Sequence, residues 1–220
     1  MCCLYLMLPY LDQVTVYWLN SGDIFPETRE VIEHVRGMIP HFVEISSDVN
    51  AVIAQHGLPS DLVPANSTFL GQLIEPNGEP LQQRYDCCYR TVMEPMQRRM
   101  IDDGITLIVR GQKNADKGKG PCRSGDQAEG FEVLYPVEDW SVEDVFTYLR
   151  GVGAPISRVY ESMPTTPECM VCSAWWEDGR AAYLKQYHPE KYQEYRHRLE
   201  RIRVVVQPMI VDFNRECENS

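Results

Sequence analysis

Eight cysteines stand among the 220 residues, and four of them are spaced so that one inorganic centre could hold them. Cys87 and Cys88 are adjacent, and Cys169 and Cys172 form a C-x-x-C. The short turn inside a C-x-x-C brings two sulfurs together. Eighty residues separate Cys88 from Cys169, so the fold must supply the convergence of the two pairs. Zinc sites tend to use two spaced pairs. A cubane cluster takes four thiolates from whatever geometry the chain offers, so the adjacent pair favours [4Fe-4S] over zinc. Buried, inert cysteine is the plainer alternative, because Cys is among the most buried residue types. That alternative suits Cys2, Cys3 and Cys122 better than it suits the two pairs.

Anion chemistry is suggested by a basic loop. Arg110, Lys113, Lys117, Lys119 and Arg123 are five cations opposed only by Asp116. Gly111, Gly118, Gly120 and Gly125 lie in or just past this stretch, so backbone amides could approach a phosphate or sulfate. A solvated surface loop is the bland alternative. A second turn, Ser21-Gly22-Asp23, leads toward Pro26-Glu27 and could present amides to a ligand where a strand gives way to a helix.

These groups need elements to position them. Residues 14–19 are rich in β-branched and aromatic side chains and read as a strand, as do 41–45, 105–109 and 131–135. A helix is expected from Pro26, with Val31, Ile32, Val35 and Met38 on one face. Asp48 is placed to cap a helix running to about His56, and Ser141 with Asp144 resembles a capping pair. Residues 57–80 hold four prolines and three glycines and read as a long loop. A helix is expected over 88–101, irregular chain over 151–176, and a helical tail from Gly179 to about Arg203, interrupted at Pro189. His188 and His197 read as surface residues on that tail. Strands alternating with helices imply a mostly parallel sheet covered on both faces, with ligands at the carboxyl ends of its strands.

Composition narrows the function. Apolar residues make up 44% and charged residues 24%, which is too rich in core formers for disorder. The charge, 21 minus 32, is -11, which argues against nucleic-acid binding through the bulk field. No apolar run approaches the roughly 20 residues that span a bilayer. The apolar start, residues 1–11, carries no basic residue and no small-residue cleavage site, so a secretory signal is not expected and the cytoplasm is the expected compartment. There, eight cysteines point to thiol chemistry or metal rather than disulfides.

Taken together, three segments resemble the adenylylsulfate and phosphoadenylylsulfate reductase family of the adenine-nucleotide pyrophosphatase-loop superfamily. Residues 18–28, WLNSGDIFPET, are similar to its NTG-x-x-FPET element. Residues 87–96, CCYRTVMEPM, are similar to its CC-x-x-x-K-V-x-PL element, and residues 139–149, DWSVEDVFTYL, to its DWS-x-x-DVW-x-YI helix. The adjacent pair with a later C-x-x-C matches the cluster-binding branch. The resemblance implies an α/β, Rossmann-like, mostly parallel sheet with helices on both faces, lacking the usual first strand and followed by a C-terminal helical tail. It implies a reductase-like domain over 1–176 and a helical extension over 177–220. It further implies a [4Fe-4S] cluster on Cys87, Cys88, Cys169 and Cys172, with zinc as the alternative metal. An adenine sulfonucleotide or ATP would bind at Ser21, Gly22, Arg110, Gly111, Lys113 and Arg123. A thiol donor such as thioredoxin or glutathione would serve a reductase, and homo-oligomers are common in the family.

The chain departs from the family pattern in three places. The S-G-G-x-D-S phosphate loop and the strand before it do not precede Met1, which suggests an N-terminal truncation. Gln112-Lys113-Asn114 replaces an arginine pair, and lysine lacks the bidentate fork. The catalytic tail E-C-G-L-H is not reproduced, because Glu216-Cys217 is followed by Glu218-Asn219-Ser220. Cys217 therefore reads as a dispensable terminal cysteine, and no catalytic residue is assigned. Two other functions remain open: ATP-dependent sulfur insertion into tRNA or DNA, and an inactive cluster- or zinc-binding module.

Overall fold

The computed structural model describes residues 1–74, 78–116, 119–165, 167–176 and 179–219. In chain order the first elements are α1 (Cys2–Leu6), β1 (Val16–Asn20), α2 (Pro26–Met38), β2 (Phe42–Ser46) and α3 (Val49–His56). Then come β3 (Leu58–Ser60), α4 (Phe69–Ile74), β4 (Leu81–Gln83) and α5 (Arg84–Cys88). A π-helical turn over Tyr89–Met93 leads into α6 (Glu94–Asp102). The remainder is β5 (Leu107–Val109), β6 (Gln127–Ala128), β7 (Phe131–Leu134), α7 (Val142–Gly151), α8 (Arg180–Tyr187) and α9 (Pro189–Asn219).

The helix starts follow local chemistry. The Asp48 carboxylate accepts from the amides of Asn50 and Ala51 at 2.9 and 3.0 Å, so α3 begins where expected. At α7 the reciprocal capping box is complete: the Asp144 amide donates to the Ser141 hydroxyl at 3.0 Å, and the Ser141 amide donates to the Asp144 carboxylate at 2.8 Å. Gly57 ends α3 at φ 92°, and a Cβ there would lie 1.9 Å from the Pro80 carbonyl oxygen. Only glycine lets the chain turn so close to the segment that enters β4.

The structure refines three expectations. The stretch 57–80 is not loop throughout: it contains β3 and α4, and β3 pairs in parallel with β4, Leu58 opposite Leu81. The helix around the adjacent cysteines begins at Arg84, four residues early, and includes the π turn. The tail helix runs on to Asn219, with Pro208 inside it. Pro208 withholds one amide from the helix, at a turn where the residue four positions back, Val204, is exposed.

The α/β character is evident in parallel pairings. β5 lies parallel to β7, Leu107 opposite Glu132 and Val109 opposite Leu134, and β6 joins the other edge of β7 antiparallel. β1 pairs with β2. The pairings form one three-stranded and two two-stranded sheets among the described residues. These strands are short, two to five residues each, so the sheets are small.

The chain forms two compact units, and both are discontinuous in sequence. The first comprises 1–18, 28–45 and 96–157; the second comprises 19–27, 46–95 and 158–220. In the first, Met100, Ile108, Phe131, Val133 and Tyr135 make one core, and Cys2, Val137, Leu149 and Ala154 make another. In the second, Phe25, Val159, Met163, Val171, Tyr183 and Tyr195 pack together. Ile202 of α9 closes over Leu58 and Leu81. The tail helices thus supply core residues to the second unit. No helix among the described residues is long and apolar enough to cross a membrane.

Candidate functional site

All four paired cysteines belong to the second unit and line one pocket. Cys87 and Cys88 end α5, which β4 feeds directly. Cys169 and Cys172 lie on the irregular chain before α8. Arg84, Thr91, Glu168, Trp175 and Arg198 complete much of the wall. About 20 Å³ of open space remains between the side chains. None of the eight cysteines is joined in a disulfide among the described residues. Among the described residues, no three His, Cys, Asp or Glu side chains are gathered tightly enough to hold one metal ion.

The π turn follows the adjacent pair immediately, a distortion often found at functional sites. Its buried Thr91 places a hydroxyl 3.9 Å from the Cys87 sulfur. Burial and the neighbouring Cys172 push the Cys87 thiol up to about 11, against the pull of Thr91, Arg90 and Arg198. Burial, Cys172 and Glu168 push Cys88 up to about 12. Cys169 is raised as well, chiefly by burial. Without a positive centre between them, these three sulfurs stay protonated at neutral pH; a bound metal would reverse that preference.

The C-x-x-C turn is held from several sides. The fully buried Ser21 hydroxyl donates to the Glu168 carbonyl at 3.1 Å. Asp23, also buried, accepts the Met170 amide on its backbone carbonyl at 2.6 Å and the Val171 amide on its carboxylate at 2.9 Å. The buried guanidinium of Arg198 donates to the Val171 carbonyl at 3.2 Å, and that of Arg180 donates to the Cys172 carbonyl. Ser173 bonds the Pro59 carbonyl of β3 at 2.6 Å. Beyond the turn, Trp175 adopts a left-handed backbone, φ 61°, and its amide donates to Asp61 at 3.2 Å. Arg84 pairs with Asp61 at 2.9 Å and stacks 3.8 Å over the Trp175 ring. Trp175 therefore walls the pocket, whereas Trp176 is exposed.

The residues expected to bind an anion fall in both units. Ser21 is enclosed by the C-x-x-C turn, while Gly22 beside it is exposed at φ 83°. In the first unit the described cations of the basic loop, Arg110, Lys113, Lys119 and Arg123, have internal partners. Arg110 bonds Glu129 at 3.0 Å, and Lys113 bonds Asp116 at 2.6 Å. Arg123 lies 3.9 Å from both Glu138 and Asp139. Lys119 donates to the Cys122 carbonyl at 2.6 Å and sits 4.6 Å over the Tyr135 ring. Gly111 packs beside Cys3, where a Cβ would meet its sulfur at 3.5 Å. Lys117, Gly118 and Ser220 lie outside the described residues. Cys217 is exposed near the end of α9.

Sequence reasoning missed a hub at Glu27. This buried carboxylate accepts from Arg158 at 2.8 Å and Tyr183 at 2.7 Å, and lies 3.0 Å from the His188 imidazole. Burial alone would raise its pKa, but its backbone bond, Tyr183, Arg158 and His188 together hold it down at about 2. His188 is therefore not a free surface residue, because it closes this hub; His197 is exposed as expected. The only sequence signal was an acid in the first turn of α2.

No family model matches the chain. An adenosine 5′-phosphosulfate reductase of Burkholderia cepacia is 26% identical over 177 residues, 76% of this chain and 64% of that protein. The enzyme of the same name from Allochromatium vinosum is 23% identical, over 75% of this chain and 65% of its own length. The chain thus spans just under two thirds of these relatives. A crystal structure of phosphoadenylyl-sulfate reductase from Candida auris, a phosphate complex, aligns with TM-score 0.46 and 16% identity over 73% of this chain and 74% of that one. By sequence, the chain is similar to adenosine 5′-phosphosulfate reductases over about three quarters of its length.

Proposed function

We propose that this chain is a sulfonucleotide reductase-like protein whose four pocket cysteines hold a [4Fe-4S] cluster. The observation that carries the reading is the meeting of Cys87, Cys88, Cys169 and Cys172 around one pocket. The donor set fits: four thiols and no histidine line it. Tetrahedral zinc, with Zn–S near 2.3 Å, holds sulfurs only about 3.8 Å apart. A cubane binds each thiolate to a different iron and so suits a wider set. Zinc is the alternative occupant. A cluster here would supply a local electrostatic field rather than the reducing electrons.

The reaction would be reduction of an adenylylsulfate-type substrate. The bond between sulfur and the bridging phosphate oxygen breaks, sulfite and the adenine nucleotide leave, and two thiols of a donor such as thioredoxin or glutathione become a disulfide. The chain's own residues would bind and orient. In the first unit, Arg110, Gly111, Lys113 and Arg123 belong to the loop after β5 and would hold an anion there. Each of these cations would exchange its present partner for the anion's oxygens. Homo-oligomers and a cytoplasmic location belong to the same reading.

The test is anaerobic purification followed by incubation with adenylylsulfate and a reduced thiol donor. A brown protein absorbing near ~400 nm that releases sulfite supports the reading. A colourless zinc protein, or a brown one that binds no sulfonucleotide, defeats the corresponding half of it.

A further inference from the structure

The Ser21–Asp23 turn reads from sequence as a ligand-facing loop, yet its two polar side chains are turned inward. Ser21 is fully buried and Asp23 nearly so. Both spend their hydrogen bonds on one short segment, 168–171. Ser21 Oγ donates to the Glu168 carbonyl at 3.1 Å, and the Asp23 amide lies 3.5 Å from the Ser21 Oγ. Ser21 also bonds the Cys169 thiol. The Asp23 carbonyl takes the Met170 amide at 2.6 Å, and its carboxylate takes the Val171 amide at 2.9 Å. Besides these, Arg198 donates to the Val171 carbonyl at 3.2 Å and Arg180 donates to the Cys172 carbonyl. The Cys172 amide reaches the Cys169 carbonyl only at 3.4 Å.

We propose that Ser21 and Asp23 are positioning residues for the C-x-x-C: they fix the backbone of 168–171 so that Cys169 and Cys172 line the same pocket as Cys87 and Cys88 before any metal arrives. The inference rests on the four-thiolate reading for its purpose, although the clasp itself is a property of the metal-free chain. Preset ligands lower the ordering cost of binding, as outer-shell groups do at metal centres. The carboxylate of Asp23 serves as a fixed acceptor for an amide inside the turn. Its second oxygen faces Lys191 at 3.4 Å, which anchors the carboxylate from α9. Here an aspartate at the end of a strand acts as an external scaffold for a turn 148 residues later.

The proposal is tested on the full, metal-free chain by iodoacetamide labelling, read for each cysteine by peptide mass spectrometry. Ser21→Ala removes the hydroxyl bonds with little change in shape. Losing a buried hydrogen bond should raise the open population of the turn about tenfold. Cys169 and Cys172 should therefore label about tenfold faster, with Cys87 and Cys88 within about twofold of wild type. Asp23→Ala should act likewise, whereas Asp23→Asn keeps an oxygen for the Val171 amide and should stay near the wild-type rate. Equal acceleration of all four cysteines, or no change at any, overturns the clasp. Equal effects of Asp23→Asn and Asp23→Ala overturn the acceptor role. Anaerobic loading with ferrous iron and sulfide is a separate arm. Ser21→Ala should take up iron more slowly but reach the wild-type visible spectrum. A wild-type chain that never gains the absorbance refutes the four-thiolate reading and leaves the labelling result to decide the clasp.

Discussion

Replacing Glu27 with glutamine removes one negative charge from the middle of an arginine, a tyrosine and a histidine. The carboxylate is 2% exposed and titrates near 2, against an ordinary value of 4.5. That depression of about 2.5 units corresponds to roughly 3 kcal/mol, at 1.36 kcal/mol per unit. A depressed carboxylate contributes stability that is complete above its unfolded pKa and lost as the pH falls toward its folded one. Wild type should therefore exceed Glu27→Gln by roughly 3 kcal/mol at pH 7, about 10 °C in Tm for a chain of this size. By pH 3, about 2 kcal/mol of the difference should be gone, and by pH 2 most of it. Urea titrations of both proteins at a series of pH values, followed by tryptophan fluorescence, measure the gap directly. A gap that stays constant from pH 7 to pH 3 would refute the reasoning, because it would show that packing rather than charge sets the effect. The Tyr183 hydroxyl, pushed up to about 12 by burial and by Glu27, should remain protonated throughout.

Three further outcomes follow from other elements. Gly57→Ala forces a Cβ into the Pro80 carbonyl at a left-handed φ, and should cost at least about 3 kcal/mol, seen as a lowered urea midpoint or as insoluble protein. Asp48→Ala leaves the first amides of α3 without their acceptor and should cost about 1 kcal/mol, or 2–4 °C in Tm, by circular dichroism. The metal-free chain should lose stability as the pH rises from about 9 toward 11–12, because Cys87 and Cys88 must ionise later when folded than when unfolded. Differential scanning fluorimetry of wild type beside Cys87→Ser/Cys88→Ser should show a steeper alkaline fall in wild type, with Cys169 and Tyr183 sustaining a smaller one in the variant.

The chemistry-bearing residues were readable where chemistry dictates spacing. An adjacent pair and a C-x-x-C announce thiols, and the structure gathers all four around one pocket. Asp48 and Ser141 were legible as caps because capping is decided within four residues. The strands β3 and β4 were not, since three-residue strands in a proline- and glycine-rich stretch carry no periodicity. They exist because Leu58 and Leu81 are covered by Ile202 of a distant helix. The tail helix continues past the expected end at Arg203 and through Pro208, whose missing amide falls on an exposed turn. Ser21 illustrates a deeper limit. A small polar residue at a strand-to-helix turn looks alike whether it faces a ligand or a buried carbonyl, and only the partner 147 residues away decides.

The interleaving of the two units sets how this gene can be divided. The chain passes between them five times, at 18/19, 27/28, 45/46, 95/96 and 157/158. Neither half is encoded by an uninterrupted reading frame, so no single start and stop codon can deliver one of them intact. Trimming after residue 176 also discards Tyr183, Leu184, Tyr195 and Ile202, and with them the lining that Phe25 and Leu58 require. Crossovers in recombination libraries, tags and split-protein junctions therefore belong at the outer end of α9, beyond the last residue that any core uses.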